Sequence, residues 1–376
     1  MAALNIPLLD RLRDAAGDYV PLDGLGRDAE RVRADLDALA AFGFGIERHP
    51  YRGAAYAGPA DRLCPDQIEH TLATRWIGRR IAVWSRVAST NDLAARAGTS
   101  ASNAGLVVLA EEQTAGRGRR GRSWTAPPRS SILMSVLLFP PPHLASAVPE
   151  SAFGCAWLTA LGAVATAEVV TTWTGRDAAI KWPNDVRVDG RKIAGILVER
   201  ASPPGRPAAD GDGGEPACGV VIGIGLNVNL DRDAFPSDLR ARATSLRIER
   251  DGTAIDRSEV ARDLIRRLDH WYDASLSFGC ETLNDPWRAR SEHLGRIVRV
   301  ATPSGPRAGR LVDLDVRNGL TLALEEGDDQ ATQDVPASGL IQLPLAAILG
   351  LQPMNPGDPS STAPPGPGSD ESALID

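Results

Sequence analysis

Cysteine is scarce in this 376-residue chain: Cys64, Cys155, Cys218 and Cys280 stand far apart, with no C-x-x-C pair. Histidine is as rare, at five, and none of these are clustered. That spacing excludes a zinc ribbon or finger and a disulfide framework, and the thiols are expected to be reduced, as in a cytoplasmic protein. The same shortage leaves no convincing Ser/His/Asp or Cys/His arrangement, so a nucleophilic hydrolase is not indicated. Excess positive charge is also missing. A formal charge of −7 gives no general attraction to nucleic acid or to an anionic membrane, so any basic loop carries local meaning. Long apolar runs are lacking too. Asp10, Arg11, Arg13, Asp14 and Asp18 break any signal-peptide core, and the stretch from Phe153 to Val170 meets Glu168 too early to span a bilayer. It is read as a buried helix, with no membrane partner.

What is present is 43% apolar and 24% charged residues, enough for a sizeable core in more than one domain. Apolar residues recur at helical spacing from Leu8 to Arg13 and from Val32 to Phe42, and two short strands are expected around Pro50 to Gly53. This is the outline of a winged helix-turn-helix over residues 1–65, with a linker around Pro59 to Gln67. Strand-like runs at Ile81–Trp84, Leu106–Glu111, Ser131–Phe139, Ala179–Trp182, Ile193–Arg200 and Val220–Asn227 follow. They alternate with helical patterns at Asn91–Ala97, Ala152–Val170 and Ser258–Leu276, predicting a mixed sheet with packed helices over 66–285, an α+β domain. Residues 202–217 read as a mobile hairpin insertion, 290–345 as a small antiparallel barrel, and 353–376 as a disordered tail.

The most informative segment runs from Glu112 to Trp124, where Gly116 to Arg122 packs four arginines and three glycines into seven residues after a strand. Glycine permits close backbone approach, and each arginine offers a fork of donors to a carboxylate or phosphate. A solvated Arg/Gly tract for nucleic-acid backbone is the bland alternative. A single cationic loop in an acidic protein, closed by Trp124, suits a small anionic ligand better. A second element, Lys181-Trp-Pro-Asn184-Asp185, leads into Arg191-Lys192-Ile-Ala-Gly195-Ile-Leu197-Val-Glu199. Its lysines can neutralise a phosphate and its Asp185 can face a metal ion, although Pro183-Asn-Asp is also a good turn in its own right. Gly223-Ile-Gly225-Leu-Asn227 and Ser89-Thr90-Asn91 are weak alone; an N-cap is the default role of the latter.

In this order and spacing, Ser-Thr-Asn, Gly-Arg-Gly-Arg-Arg-Gly-Arg, Lys-Trp-Pro-Asn-Asp, Arg-Lys-x-x-Gly-Ile-Leu-Val-Glu and Gly-x-Gly-x-Asn resemble the biotin protein ligases of the bifunctional repressor type, over roughly residues 8–345. The resemblance implies a central class II synthetase-like catalytic domain, an N-terminal winged helix and a C-terminal SH3-like barrel. It implies biotin, ATP and Mg2+ as ligands, and adenylation of biotin followed by transfer to a lysine of a biotin carboxyl carrier domain. A homodimer is a further implication. It places Ser89, Thr90, Asn91, Gln113, Arg117, Gly118, Arg119, Lys192, Gly195 and Leu197 about biotin, and Arg122, Trp124, Lys181, Asn184 and Asn227 about the nucleotide. Lys192, Lys181 and Arg119 carry the catalytic roles, and Asp185 faces a metal held mostly by phosphate.

Lipoate or octanoate ligation, the sister chemistry, is disfavoured by the pairing of Gly116–Arg122 with Lys181–Asp185. For DNA two readings stay open. Residues 1–65 hold eight basic and ten acidic residues, a net of −2, the segment from Val20 to Arg31 leaves little room for the usual first helix, and the candidate recognition helix, Asp28 to Ala41, is Asp-rich. The unit is then either a repressor head or a vestigial domain.

Overall fold

The computed structural model describes residues 3–141, 143–144, 156–201, 219–324 and 339–354. The expected insertion at 202–217 lies outside the described residues, as do 355–376 of the expected tail, Cys155 and Cys218. Cys64 and Cys280 are buried free thiols.

The chain opens with three helices and a hairpin. Helix α1 (Ile6–Asp14) buries Ile6, Leu8, Leu9 and Leu12. A single turn, α2 (Leu22–Leu25), occupies the cramped segment before α3 (Ala29–Phe42). Asp28 caps α3 by accepting from the Glu30 and Arg31 amides, its i, i+4, i+7 row of Val32, Leu36 and Leu39 faces the core, and Gly43 ends it at φ 120°. Strands β1 (Gly45–His49) and β2 (Gly53–Gly58) pair antiparallel. The expected linker is shorter than its composition suggests, because Pro65–Glu69 forms helix α4.

A seven-stranded mixed sheet follows, in the order β3-β4-β5-β9-β8-β7-β6. Its strands are β3 (Arg80–Trp84), β4 (Leu106–Ala110), β5 (Ser131–Leu138), β6 (Ala178–Lys181), β7 (Asp185–Val188), β8 (Arg191–Arg200) and β9 (Val220–Asn227). Only the β3–β4 pair is parallel. Period-two alternation divides the strands between two faces. Ile132, Met134, Val136, Ile196, Ile222 and Ile224 join the main core with α6 (Ala156–Thr174) and α8 (Arg257–Phe278). Leu137, Val108 and Val221 pack on the other face against Ala94 of α5 (Thr90–Ala97). The apolar run read as a buried helix is one: Trp157 to Val170 is almost wholly buried. No helix among the described residues is long and apolar enough to cross a membrane.

Helices α7 (Leu246–Glu249) and α9 (Asn284–Arg290) lead to a five-stranded antiparallel sheet, ordered β13-β12-β11-β10-β14. Its strands are β10 (Ile297–Thr302), β11 (Gly305–Asp315), β12 (Gly319–Ala323), β13 (Leu340–Leu343) and β14 (Gly350–Pro353). This sheet runs past the expected boundary at 345, since β14 pairs with β10 from Val298↔Pro353 to Ala301↔Gly350. The last strand was missed because four residues after a proline-flanked turn carry too little pattern to stand out from a Pro/Gly-rich tail.

Polar contacts fix the N-terminal unit to the rest. Arg13 reaches Asp256 and, at 2.8 Å, Glu259 at the start of α8. The buried Glu111 carboxylate accepts from Arg257 at 2.7 Å and from the Leu63 amide at 2.5 Å, so the linker is held at the end of β4. An ion pair so deep is sustained only because each partner is also hydrogen-bonded, and Arg257 has the Ser131 carbonyl as well.

Candidate active site

The second sheet face is where the side chains stop. Gly195, Leu197, Gly223 and Gly225 alternate onto it, in registers Gly195↔Gly225 and Leu197↔Gly223. A methyl group on Gly225 would lie 2.4 Å from the Trp124 indole, and one on Gly223 would lie 2.3 Å from the Asn91 carboxamide oxygen. The two glycines therefore do different jobs. Gly225, with Gly195, lets Trp124 lie flat on the sheet; Gly223 admits the first turn of α5.

Over this floor runs the glycine–arginine loop. It folds on itself through Gly118 N–H to the Arg122 carbonyl at 2.7 Å and Trp124 N–H to the Gly116 carbonyl at 2.9 Å. Arg120, at φ 56°, takes the left-handed turn that lets the loop reverse. The β6–β7 turn, through a cis Trp182–Pro183 peptide, supplies the facing wall.

One cavity gathers nearly all of the expected residues. Ser89, Thr90, Asn91, Gln113, Arg117, Gly118, Arg119, Arg122, Trp124, Lys181, Asn184, Asp185, Lys192, Gly195 and Leu197 line it. Asn227 does not: its amide is buried at the end of β9 and donates to the Thr244 carbonyl at 3.0 Å. Ser89 occupies the N-cap position of α5, but its side chain makes no cap hydrogen bond there. The Thr90 amide and hydroxyl instead both donate to Gln113 Oε1, at 2.7 and 2.9 Å.

The charges are graded along the cavity. Lys192 Nζ sits 2.6 Å from Asp185 and 5.7 Å from the centre of the Trp124 ring. Arg119 donates to Asn184 Oδ1 at 3.4 Å, and burial, with Arg120 beside it, lowers its pKa to about 10. A guanidinium held desolvated next to another cation is one that gains from an anion arriving. Arg117 is different. Its guanidinium is engaged by Asp92 at 2.7 Å and Glu199 at 3.0 Å, and these contacts raise its pKa. Asp185 is the one carboxylate among the described lining residues, and no group of three His, Cys, Asp or Glu side chains suited to a metal ion occurs among the described residues. These side chains alone do not build a metal centre.

The sequence reading missed four contributors. Ser135 lies 2.7 Å from Thr90 Oγ1 and 2.6 Å from Asn91 Oδ1, and a serine in the middle of the apolar run Ile132–Leu138 was the available signal. Glu199 had no assigned task. Gly350 and Leu351 of β14 line the cavity although Gly350 is 125 positions from the nearest other lining residue in sequence, Gly225, beyond the reach of any local pattern.

A glycine-floored sheet face, roofed by an arginine loop with one largely buried guanidinium and walled by two lysines, is suited to holding a small anion and neutralising its charge. Comparison with known proteins narrows the class. Residues 83–211 match the biotin/lipoate A/B protein ligase family. The chain is 35% identical over 291 residues to the biotin--[acetyl-CoA-carboxylase] ligase of Mycobacterium tuberculosis, an alignment covering 71% of this chain and 97% of that one. It is 29% identical over 330 residues to the bifunctional ligase/repressor BirA of Bacillus spizizenii, covering 87% of this chain and 96% of that one. The fold matches the biotin protein ligase of Aquifex aeolicus in complex with biotin and ATP, with TM-score 0.56 and 23% identity over 73% of this chain and all of that one. The chain belongs to the biotin protein ligase family.

Proposed function

We propose that this protein activates biotin with ATP as biotinyl-5'-AMP and transfers the acyl group to a lysine of a biotin carboxyl carrier domain. The observation that carries this reading is the single cavity joining Ser89, Thr90 and Gln113, a polar cradle for a neutral ring, to Arg119, Arg122, Lys181 and Lys192. In the first step a carboxylate oxygen attacks the α-phosphorus, a new P–O bond forms, and pyrophosphate leaves. Two anions must meet, so positioning and charge neutralisation do the catalysis. Lys192, already paired with one carboxylate, is suited to exchange it for that of biotin and to follow the charge onto the phosphate. Lys181 and Arg119 serve the phosphates, while Arg122, Trp124 and Asn184 bound the nucleotide. Asn227 acts behind the site by holding the Thr244 carbonyl in the loop that leads into α7.

Mg2+ fits here only as an ion arriving with the nucleotide, with Asp185 as its protein contact once Lys192 has released it. Bound there, it would supply neutralisation of phosphate charge. In the second step the lysine amine attacks the acyl carbon, the C–O bond to phosphate breaks, and AMP leaves. Water must be kept out meanwhile, which is the service of the Gly116–Arg122 loop.

Around residues 66–285, helices α1–α3 with the β1–β2 hairpin are read as a winged helix, and β10–β14 as an SH3-like barrel whose Gly350 and Leu351 close the cavity. A repressor role is the second reading. It is favoured by how three of the acidic residues at α3 are engaged: Asp28 caps the helix, Asp35 accepts from Asn5 at 2.7 Å and Asp37 pairs with Arg48 at 2.7 Å, while Glu30 is exposed in the first turn. Arg31 and Arg33 remain exposed. The test of the main reading is exchange of labelled pyrophosphate into ATP, with biotin, lipoate and octanoate in parallel. Exchange with biotin alone is expected; exchange with lipoate or octanoate only would move the protein to the sister chemistry. For the second reading, duplex affinity should rise on adding biotin and ATP and fall steeply between 50 and 200 mM salt, both salt levels being rough bounds.

A further inference from the structure

The glycine–arginine loop is tied to its neighbours at its start and again through its arginines. At its start Gln113 accepts two hydrogen bonds from Thr90. Further along, Arg117 reaches Asp92 of α5 and Glu199 near the end of β8, at 2.7 and 3.0 Å. Next to Gln113 the Thr114 and Ala115 amides donate to the Val87 and Ala88 carbonyls, both at 2.9 Å, and from Gly116 onward the loop bonds to itself through the Gly118–Arg122 and Gly116–Trp124 contacts and the Arg117↔Ser123 bridge, with Arg119 donating to Asn184.

The Glu199 carboxylate is itself oriented. The same oxygen that meets Arg117 accepts from Asn91 Nδ2 at 2.6 Å, and Asn91 Oδ1 lies 2.6 Å from the Ser135 hydroxyl. Asn91 is 5% exposed and occupies the space that a side chain at position 223 would take. A buried amide thus aims a carboxylate whose outer edge is one-third exposed, toward a guanidinium that is likewise partly exposed. Such a pair is strong enough to define a closed position and weak enough to open in each turnover, because solvent competes for both partners. Two of the loop's arginines, both lining the cavity, divide accordingly: Arg117 is exposed and held by two carboxylates, whereas Arg119 is the more buried and bonds to Asn184.

We propose that Asp92 and Glu199 are positioning residues that latch Arg117 and so hold the loop closed over the acyl adenylate, governing how long the intermediate is retained and not whether it forms. This rests on the ligase reading above. Neither carboxylate need touch biotin or the nucleotide; each acts through Arg117.

The experiment uses the full chain as wild type, Glu199→Gln, Asp92→Asn and the double variant. Two quantities are measured: single-turnover formation of biotinyl-5'-AMP, and its escape, followed as released adenylate and as biotin on lysines of an added bystander protein. Formation should stay within roughly twofold of wild type in every variant. Escape should rise roughly five- to tenfold in the double variant, the size expected for losing exposed ion pairs, with each single variant in between. Salt at about 1 M should speed escape from wild type toward the double variant's rate and leave the latter little changed. Normal formation with wild-type escape in the double variant overturns the latch. Loss of formation in the variants alone also overturns it, by placing these carboxylates in the activation step. Failure of wild type to form adenylate is a failure of the ligase reading instead.

Discussion

The two faces of the central sheet are built by the same strands, one residue apart, and they are opposite kinds of surface. On one, Ile222 and Ile224 are buried in the apolar core built with α6 and α8. On the other, Gly223 and Gly225 leave room, and polar side chains from α5 and the arginine loop fill it. Pleating makes this possible: stability and chemistry are assigned to alternate positions of β9, so each can be changed without the other.

Substitutions can sharpen or break that division. The largest effect is expected for Lys192→Ala, which should slow adenylate formation by about 10²–10³-fold, the scale of one lost charge-stabilising donor, with an unchanged unfolding midpoint. Normal burst formation would remove Lys192 from the chemistry. On the opposite face Ile222→Ala should lower unfolding free energy by about 2–5 kcal/mol while biotin affinity is kept; denaturant titration with calorimetric biotin binding reads both. A variant that lost affinity in step with stability would mean that the faces are coupled.

A smaller effect concerns the junction with the C-terminal sheet. His293 is buried, and burial together with Lys181, Arg187 and Arg296 lowers its pKa to about 4 from an ordinary 6.5. The folded protein therefore holds a neutral imidazole. Above pH 6.5 this is neutral for stability; as pH falls toward 4 the unfolded chain takes up the proton first and stability is lost. Chemical denaturation at several pH values should show a loss of up to about 3 kcal/mol over that window, reduced in His293→Leu. Equal acid sensitivity in the variant would place the titration elsewhere. The smallest effect is expected for Gly225→Ala, where the new methyl must push the Trp124 ring aside. Nucleotide affinity should drop by roughly tenfold with under about 1 kcal/mol of stability lost. An unchanged affinity would free Trp124 from the nucleotide site.

Much of this was legible in the chain itself. Six of the seven sheet strands announce themselves as short apolar runs, and α3 and α8 as helical periodicities, because one buried face imposes its period on the sequence. Strand β7 was read as a turn: Asp185-Val-Arg-Val begins inside Pro-Asn-Asp, whose turn chemistry masks it. The site residues were legible as residue types, since charge neutralisation demands arginine and lysine near glycine. Their division of labour was not. Arg117 and Arg119 are two residues apart in one motif, and nothing local says that one is held by a pair of carboxylates and the other is more buried beside Asn184.

The sequence by itself determined the periods of the strands and helices, the cationic loop and its chemistry, and the likeness to biotin ligases. Those follow from local composition and spacing. Tertiary structure alone decided that Ser135, Asn91 and Glu199 form one connected path, that Gly223 and Gly225 make room for different partners, and that Gly350 and Leu351 close the cavity. Each of these joins residues from 44 to well over 100 positions apart, and such contacts are set by how sheets and helices pack, which no short stretch of chain encodes.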